Sequence, residues 1–282
     1  MRCVTDQDVR PFAEHALPWL LRDPVRHNAL CTLVQTRLDE GAEPDALWVR
    51  VVDEVDEIVG VAVHTPPRGL LLSGMSRAVA ELVADHVATA EDIPVPAVSG
   101  PREPARAFVE RYRERLGVAA TAGLRTTMYR LDRVEPAVGV PGKLREAGPE
   151  DRVLIVRWVR EFSAEAVPHQ EQTDAGPQVD RRIARGGMLW LWEDAGEPVS
   201  FLWLSVPAAA AVRISAVYTP PAARGHGYAS ACVAEVSQRT LDNGAKAMML
   251  YADTTNPTSN GIYVRIGFEP IEEGEEWLFT RP

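Results

Sequence analysis

The chain has little cysteine, no long apolar run and no basic stripe, and each absence removes a class of function. Of its 282 residues three are cysteines, Cys3, Cys31 and Cys232, an odd number set far apart. No Cys-x-x-Cys or Cys/His cluster exists, so neither a disulfide framework nor a zinc site is expected, and no metal is called for. Cys232 falls on the apolar stripe of a helical pattern and reads as buried filler. No apolar stretch approaches membrane-spanning length, and the opening "MRCVTDQDVR" lacks the apolar centre of a signal peptide. A cytoplasmic protein with no membrane partner is the expectation. The formal net charge is −10, which repels phosphate backbones. The segment "RAFVERYRERLG" alternates sign like a solvated helix face, and with no basic stripe no nucleic-acid partner is expected.

What remains is a globular composition, 46% hydrophobic and 25% charged, long enough for two ordinary domains. The first half opens with helical patterns, continues with strand patterns in "LWVRVVDEV", "EIVGVAVHT" and "GLLLSG", and then alternates helix, strand, helix, strand. A Pro- and Gly-rich stretch of weak periodicity, 132–150, sets a boundary near residue 140. Beyond it the order repeats: helix, a polar loop "PHQEQTDAGPQVD", a short helix, three strands, helix, strand, short helix and two closing strands. The expected architecture is α/β (α+β), two tandem copies of one mixed, mostly antiparallel sheet flanked by helices, with domains 1–140 and 141–282. One local echo, "VHTPPRG" at 63–69 against "VYTPPAARG" at 217–225, lies one strand too early in the first copy to mark equivalent sites.

The segment "VYTPPAARGHGYA" carries the chemistry. An apolar strand ends near Thr219, and Pro220 and Pro221 stop sheet pairing. Gly225 and Gly227 let backbone N–H groups converge on a ligand. A helix starting near Tyr228 aims its unpaired N–H groups at the same point, which suits a phosphate or pyrophosphate. Arg224 can add a charge-assisted bond. Downstream, "NPTSNGIYVRIGF" offers Asn256, then Tyr263 seven residues on, then Gly267-Phe268.

The Arg-x-x-Gly-x-Ala run at 224–229, followed by this Asn-to-Tyr spacing, resembles the acyl-CoA signature of the GNAT N-acetyltransferase superfamily. The likeness covers roughly residues 143–282. The tandem order is similar to acetyltransferases whose first domain is degenerate. The resemblance implies acetyl-CoA as co-substrate and a small-molecule, peptide or protein amine as acceptor. It implies that Val217 and Thr219, with Tyr218 between them, offer backbone groups to the pantetheine arm. By the same resemblance Arg224, Gly225, His226, Gly227, Tyr228 and Ala229 cradle the pyrophosphate, Asn256 bonds the arm, and Tyr263 stands near the thioester sulfur. A phenol there can protonate the departing thiolate as general acid.

The sequence departs from that pattern in two places. Many relatives place a glutamate on the strand before the loop; "VRISAVYT" has Arg213 and Ser215 and no carboxylate, which leaves Glu161 and Glu165 as candidate bases. The first half lacks the loop altogether. Ser259 and Asn260 read as helix caps or cofactor contacts, and Trp190, Trp192 and Trp203 as core or as a wall of the acceptor pocket. A dinucleotide-binding oxidoreductase would need a third glycine where Ser230 stands. An aminoacyl transferase acting on tRNA would need the missing basic stripe. A non-catalytic acetyl-CoA sensor remains as the alternative function.

Overall fold

The computed structural model describes residues 1–41, 45–89, 95–166 and 174–280. The chain falls into two compact units. One comprises Met1–Met128, Asp253–Thr255 and Ile271–Pro282; the other comprises Tyr129–Ala252 and Asn256–Pro270.

In the first unit the order is β1 (Arg2–Asp6), α1 (Val9–Leu20), α2 (Asn28–Glu40), β2 (Leu47–Val52), β3 (Ile58–His64), β4 (Leu70–Leu72), α3 (Arg77–Ala88), β5 (Ala97–Pro101), α4 (Arg102–Leu116) and the long strand β6 (Ala119–Leu131), whose last three residues belong to the second unit. The sequence patterns miss β1, whose five residues are only partly buried and so carry no run of apolar residues. In the second unit come β7 (Lys143–Glu146), α5 (Arg152–Ala166), α6 (Gly176–Arg185), β8 (Leu189–Asp194), β9 (Glu197–Leu204), β10 (Ala211–Tyr218), α7 (Tyr228–Asp242), β11 (Ala247–Asp253) and α8 (Pro257–Ile266). One continuous strand, β12 (Glu269–Thr280), replaces the two closing strands expected from the pattern. The expected polar loop ends sooner than its composition suggests: Pro177 in the first turn is compatible with a helix start, and α6 takes in "GPQVD". Its preceding residues, 167–173, lie outside the described residues.

The two units repeat one pairing scheme. β1/β2, β2/β3 and β3/β4 are antiparallel and β4/β5 parallel. Likewise β7/β8, β8/β9 and β9/β10 are antiparallel and β10/β11 parallel. The tandem α/β architecture, mostly antiparallel and flanked by helices, is therefore present. β4 is the counterpart of β10. The echo "VHTPPRG" follows β3, so it marks no equivalent site.

The first unit's core gathers Val49, Val51, Leu70, Leu72, Val83, Val98 and Phe108 between the sheet and α3 and α4. Trp277 and Phe279 of β12 pack against it, and β12 pairs antiparallel with β5 from Gly274↔Pro101 to Leu278↔Ala97. The second unit's sheet is covered on both faces. One face packs Val212, Ile214, Met248 and Leu250 against Tyr228, Cys232 and Val236 of α7. The other packs Leu189, Leu191, Phe201, Ala216 and Tyr218 against Ile155, Trp158 and Val159 of α5 and Val179 of α6. The period-2 alternation along each strand assigns side chains to these two faces. No helix is long and apolar enough to cross a membrane among the described residues.

Candidate active site

β10 and β11 part company at one end. Their parallel register joins Ala211–Ile214 to Ala247–Leu250, yet β10 runs on to Tyr218 and β11 to Asp253. The separation begins at a bulge. Against β9, Ile214 faces Leu204 and Ala216 faces Trp203, so Ser215 is an extra residue on β10. A bulge bends its strand and sharpens the twist, which turns the end of β10 away from β11 while its pairing with β9 continues to Tyr218↔Phe201. The backbone of 215–218 facing β11 thereby gains an open edge, and an open edge accepts an extended chain as a strand would.

The corresponding strands of the first unit stay closed. Leu70 pairs with Val98 and Leu71 with Ser99, and a Cβ built on Gly100 would stand 2.9 Å from Cβ of Leu72. The helix that follows β4 is also closed at its start, where Ser76 Oγ accepts from Val79 N.

The exit from β10 is organised by two polar side chains. Ser200 Oγ donates to the carbonyl of Tyr218 at 3.1 Å and lies 2.9 Å from Thr219 Oγ1. Arg224 Nε donates to the carbonyl of Thr219 at 2.9 Å. Between them Pro220 leads into a single 3-10 turn, Pro221–Ala223. Gly225 and Gly227 both sit at φ +84°, the left-handed region where a side chain is strained. Gly227 is the N-cap of α7 and provides no side-chain acceptor. Two left-handed glycines flanking His226 turn successive N–H groups toward one side, and the first N–H groups of α7 follow without a cap. His226 lies parallel to the ring of Tyr228 at 5.4 Å, and its Nδ1 is 3.3 Å from the carbonyl of Ala223. Tyr228 is buried, and its phenol donates to Asp194 Oδ2 at 2.5 Å, which raises its pKa. Ala229 occupies the first turn of α7.

Arg224 points back toward α5. Its Nη2 lies 2.7 Å from Glu165 Oε2 and 2.9 Å from Oε1. Glu161, one turn earlier, accepts from the Tyr218 phenol at 3.0 Å. Burial and this carboxylate push the Tyr218 phenol up to about 12. Both candidate bases thus stand beside the end of β10, each engaged with a residue of the candidate site.

The short helix α8 follows from its sequence. Asn256 Oδ1 accepts from Ser259 N at 3.0 Å, Pro257 opens the first turn, and Gly267 ends it at φ +106°. The cap is Asn256, where the sequence offered Ser259 and Asn260. Asn260 Nδ2 donates to the Asn256 carbonyl at 2.8 Å, and its Oδ1 accepts from the Tyr129 phenol at 3.0 Å. Tyr263 lies one turn further on, its ring 6.2 Å from that of Tyr129 and 5.8 Å from Phe268. Burial, with Tyr129 beside it, pushes the Tyr263 phenol up to about 12. Val217 packs toward the same core as Tyr263. Sequence reading found the loop and α8. It missed Ser200, Asp194 and Tyr129, whose roles depend on partners 18, 34 and 131 residues away. Among the described residues no group of three His, Cys, Asp or Glu side chains could hold a metal ion.

Residues 153–268 match the family model described as "Acetyltransferase (GNAT) family". No curated protein matches the chain by sequence. Among solved structures, a GCN5-related N-acetyltransferase from Sphaerobacter thermophilus superposes with a TM-score of 0.65 at 16% identity, covering 100% of this chain and 96% of that one. A GNAT-family acetyltransferase from Colwellia psychrerythraea gives 0.63 at 11%, with 100% of both chains covered. A tandem GNAT protein from the clavulanic acid biosynthesis pathway gives 0.60 at 15%, with 100% and 99% covered. At these identities the likeness is one of fold, and it spans both units.

Proposed function

We propose that this protein, whose residues 153–268 match the GNAT acetyltransferase family model, transfers the acetyl group of acetyl-CoA to a primary amine. The observation that carries the proposal is the separation of β10 from β11 after Ile214 and Leu250. It leaves a strand-like slot that leads to the glycine turn and the uncapped start of α7. The slot suits the amide-bearing pantetheine arm, and the turn suits a pyrophosphate. Acetyl-CoA, when bound, supplies an acetyl group activated as a thioester.

The protein's own residues would do the rest. Backbone groups of Val217 to Thr219 hold the arm, and the N–H groups from Gly225 to Ala229 hold the phosphates. Holding amine and thioester in contact supplies much of the rate gain. An N–H of the open edge stabilises the carbonyl oxygen as it gains charge. Tyr263 donates its proton to the departing sulfur while the nitrogen–carbon bond forms, the carbon–sulfur bond breaks, and the nitrogen releases a proton to water. A phenol held up to about 12 is fully protonated at neutral pH and so is ready to donate. The first unit, with closed strands and a capped α3, takes no part in binding acetyl-CoA.

The test has two stages. Acetyl-CoA should raise the melting temperature, because it binds the folded state only. Free thiol should then appear with a responsive amine. Binding without thiol release across a broad amine panel would favour the sensor reading; no binding would remove both readings.

A further inference from the structure

Tyr129 joins the short helix α8 to a strand from an earlier part of the chain. Along β6, Tyr129 and Leu131 both enter the core under α7 and α8, while Arg130 between them is exposed and pairs with Asp132. Tyr129 is buried, and burial raises its pKa, so its phenol keeps its proton at neutral pH. That proton goes to Asn260 Oδ1 at 3.0 Å. The direction of the bond is set by the other end of the amide. Because Asn260 Nδ2 donates to the Asn256 carbonyl at 2.8 Å, the amide turns its oxygen to Tyr129, and the phenol is the donor.

The helix that Tyr129 holds is short and lightly buried. Of the ten residues of α8 only Ile266 is fully buried, and a helix of that length is marginal by itself. Asn256 caps its start from within. Its end is held by Glu135 N, which donates to the Ile266 carbonyl at 2.7 Å. Asn260 stands between these two points. Tyr263 lies three residues further on, on the same face of the helix. Tyr129 therefore meets both, its hydroxyl on Asn260 and its ring 6.2 Å from the Tyr263 ring. It lies outside residues 153–268, so the family match does not reach it.

We propose that Tyr129 is a positioning residue for acetyl transfer: through its bond to Asn260 and its ring it sets the phenol of Tyr263 where the departing sulfur will stand. The inference rests on the acetyl-transfer reading of the same site, with Tyr263 as general acid, and adds to it a residue from β6. A general acid acts only within hydrogen-bond reach, about 2.6–3.2 Å, and a misplacement of about 1 Å can cost about 100-fold in rate. Tyr129 acts through Tyr263. Its own proton stays in the bond to Asn260, and the proton that reaches sulfur is that of Tyr263.

The experiment is a double-mutant cycle in the full-length protein. Tyr129→Phe keeps the ring and deletes the bond to Asn260. Thiol release with acetyl-CoA and the fastest amine of a broad panel gives kcat and KM, and calorimetry gives the acetyl-CoA Kd. Tyr129→Phe should lower kcat by about 10-fold with KM and Kd unchanged. In the Tyr263→Phe background the same substitution should leave the residual kcat as it is, because no acid is left to position. A purely structural role would lower kcat by one factor in both backgrounds. Asn260→Ala removes the bond from its other side; it should give the same pattern, and it serves if Tyr129→Phe does not fold. Normal kcat in Tyr129→Phe overturns the inference, as does a loss equal in both backgrounds or one carried by the acetyl-CoA Kd. Full turnover of Tyr263→Phe alone overturns the general-acid assignment and this inference with it, while acetyl transfer stands. No acetyl-CoA binding, or no thiol release with any amine, sinks the acetyl-transfer reading itself.

Discussion

Arg224 of the glycine turn is held by Glu165 of α5, with Nη2 2.7 Å from Oε2, and by the carbonyl of Thr219. The residue expected to meet phosphate is thus already paired with a carboxylate in the same unit. Both side chains are about half exposed, 48% and 50%, and such a pair contributes only about 0–1 kcal/mol to stability. A phosphate group carries more charge and competes for the same guanidinium. Glu165→Gln should therefore tighten acetyl-CoA binding by a few-fold, and Arg224→Ala should weaken it by about 10-fold. Calorimetric titration of both variants at two salt concentrations measures this. Weaker binding in Glu165→Gln would mean that the ion pair positions the turn instead of competing for it.

Gly227 combines a backbone and a space requirement. At φ +84° a side chain is strained, and a Cβ there would stand 3.0 Å from Cγ2 of Val140. Gly227→Val should abolish the thermal shift produced by acetyl-CoA, because the turn can no longer present its N–H groups together. Circular dichroism of the variant confirms folding. An undiminished shift in a folded variant removes the turn from the binding site.

Tyr263→Phe keeps the ring contacts with Tyr129 and Phe268 and deletes only the hydroxyl. Turnover should fall by about 10² to 10⁴ if the phenol is the general acid, with acetyl-CoA affinity nearly unchanged, since the proton is needed as the sulfur gains charge. The pH profile adds a signature. An acid must be protonated to act, so activity is lost as pH rises through its pKa. With the phenol at about 12, no falling limb from this group should appear near pH 10, where an ordinary tyrosine titrates. Near-normal turnover of the phenylalanine variant would leave Tyr263 with a packing role.

A fragment of residues 1–135 ends before the strand that closes its own sheet. β12 pairs with β5, and the Phe279 ring sits 4.9 Å from Tyr112 and 6.4 Å from Phe108. Without these residues the fragment exposes a hydrogen-bonding edge and part of its core. It should lack a cooperative thermal transition and bind a hydrophobic dye. Restoring residues 269–280 at its C-terminus through a flexible linker should recover the transition. A cooperative transition in the fragment alone would show that β12 is dispensable to the first unit.

Much of the candidate site was legible because its parts are local in the chain. Two prolines, two left-handed glycines and a helix start within nine residues define the turn by backbone stereochemistry alone, and the spacing from Asn256 to Tyr263 is set by two turns of one helix. The repeated order of helices and strands was legible for the same reason, since each element carries its own periodicity. Strand partners are different. The pleat of β12 states which side chains face alike and says nothing of which strand lies beside it, so its pairing with β5, some 170 residues earlier, comes only from the fold. The opening between β10 and β11 depends on where one register ends and on a bulge against a third strand. Tyr129 meets Asn260, 131 residues later, only because β6 and α8 pack together. Sequence fixes the conformations a short segment can adopt. Long-range pairing and burial decide which of those segments make a site, and with what charge.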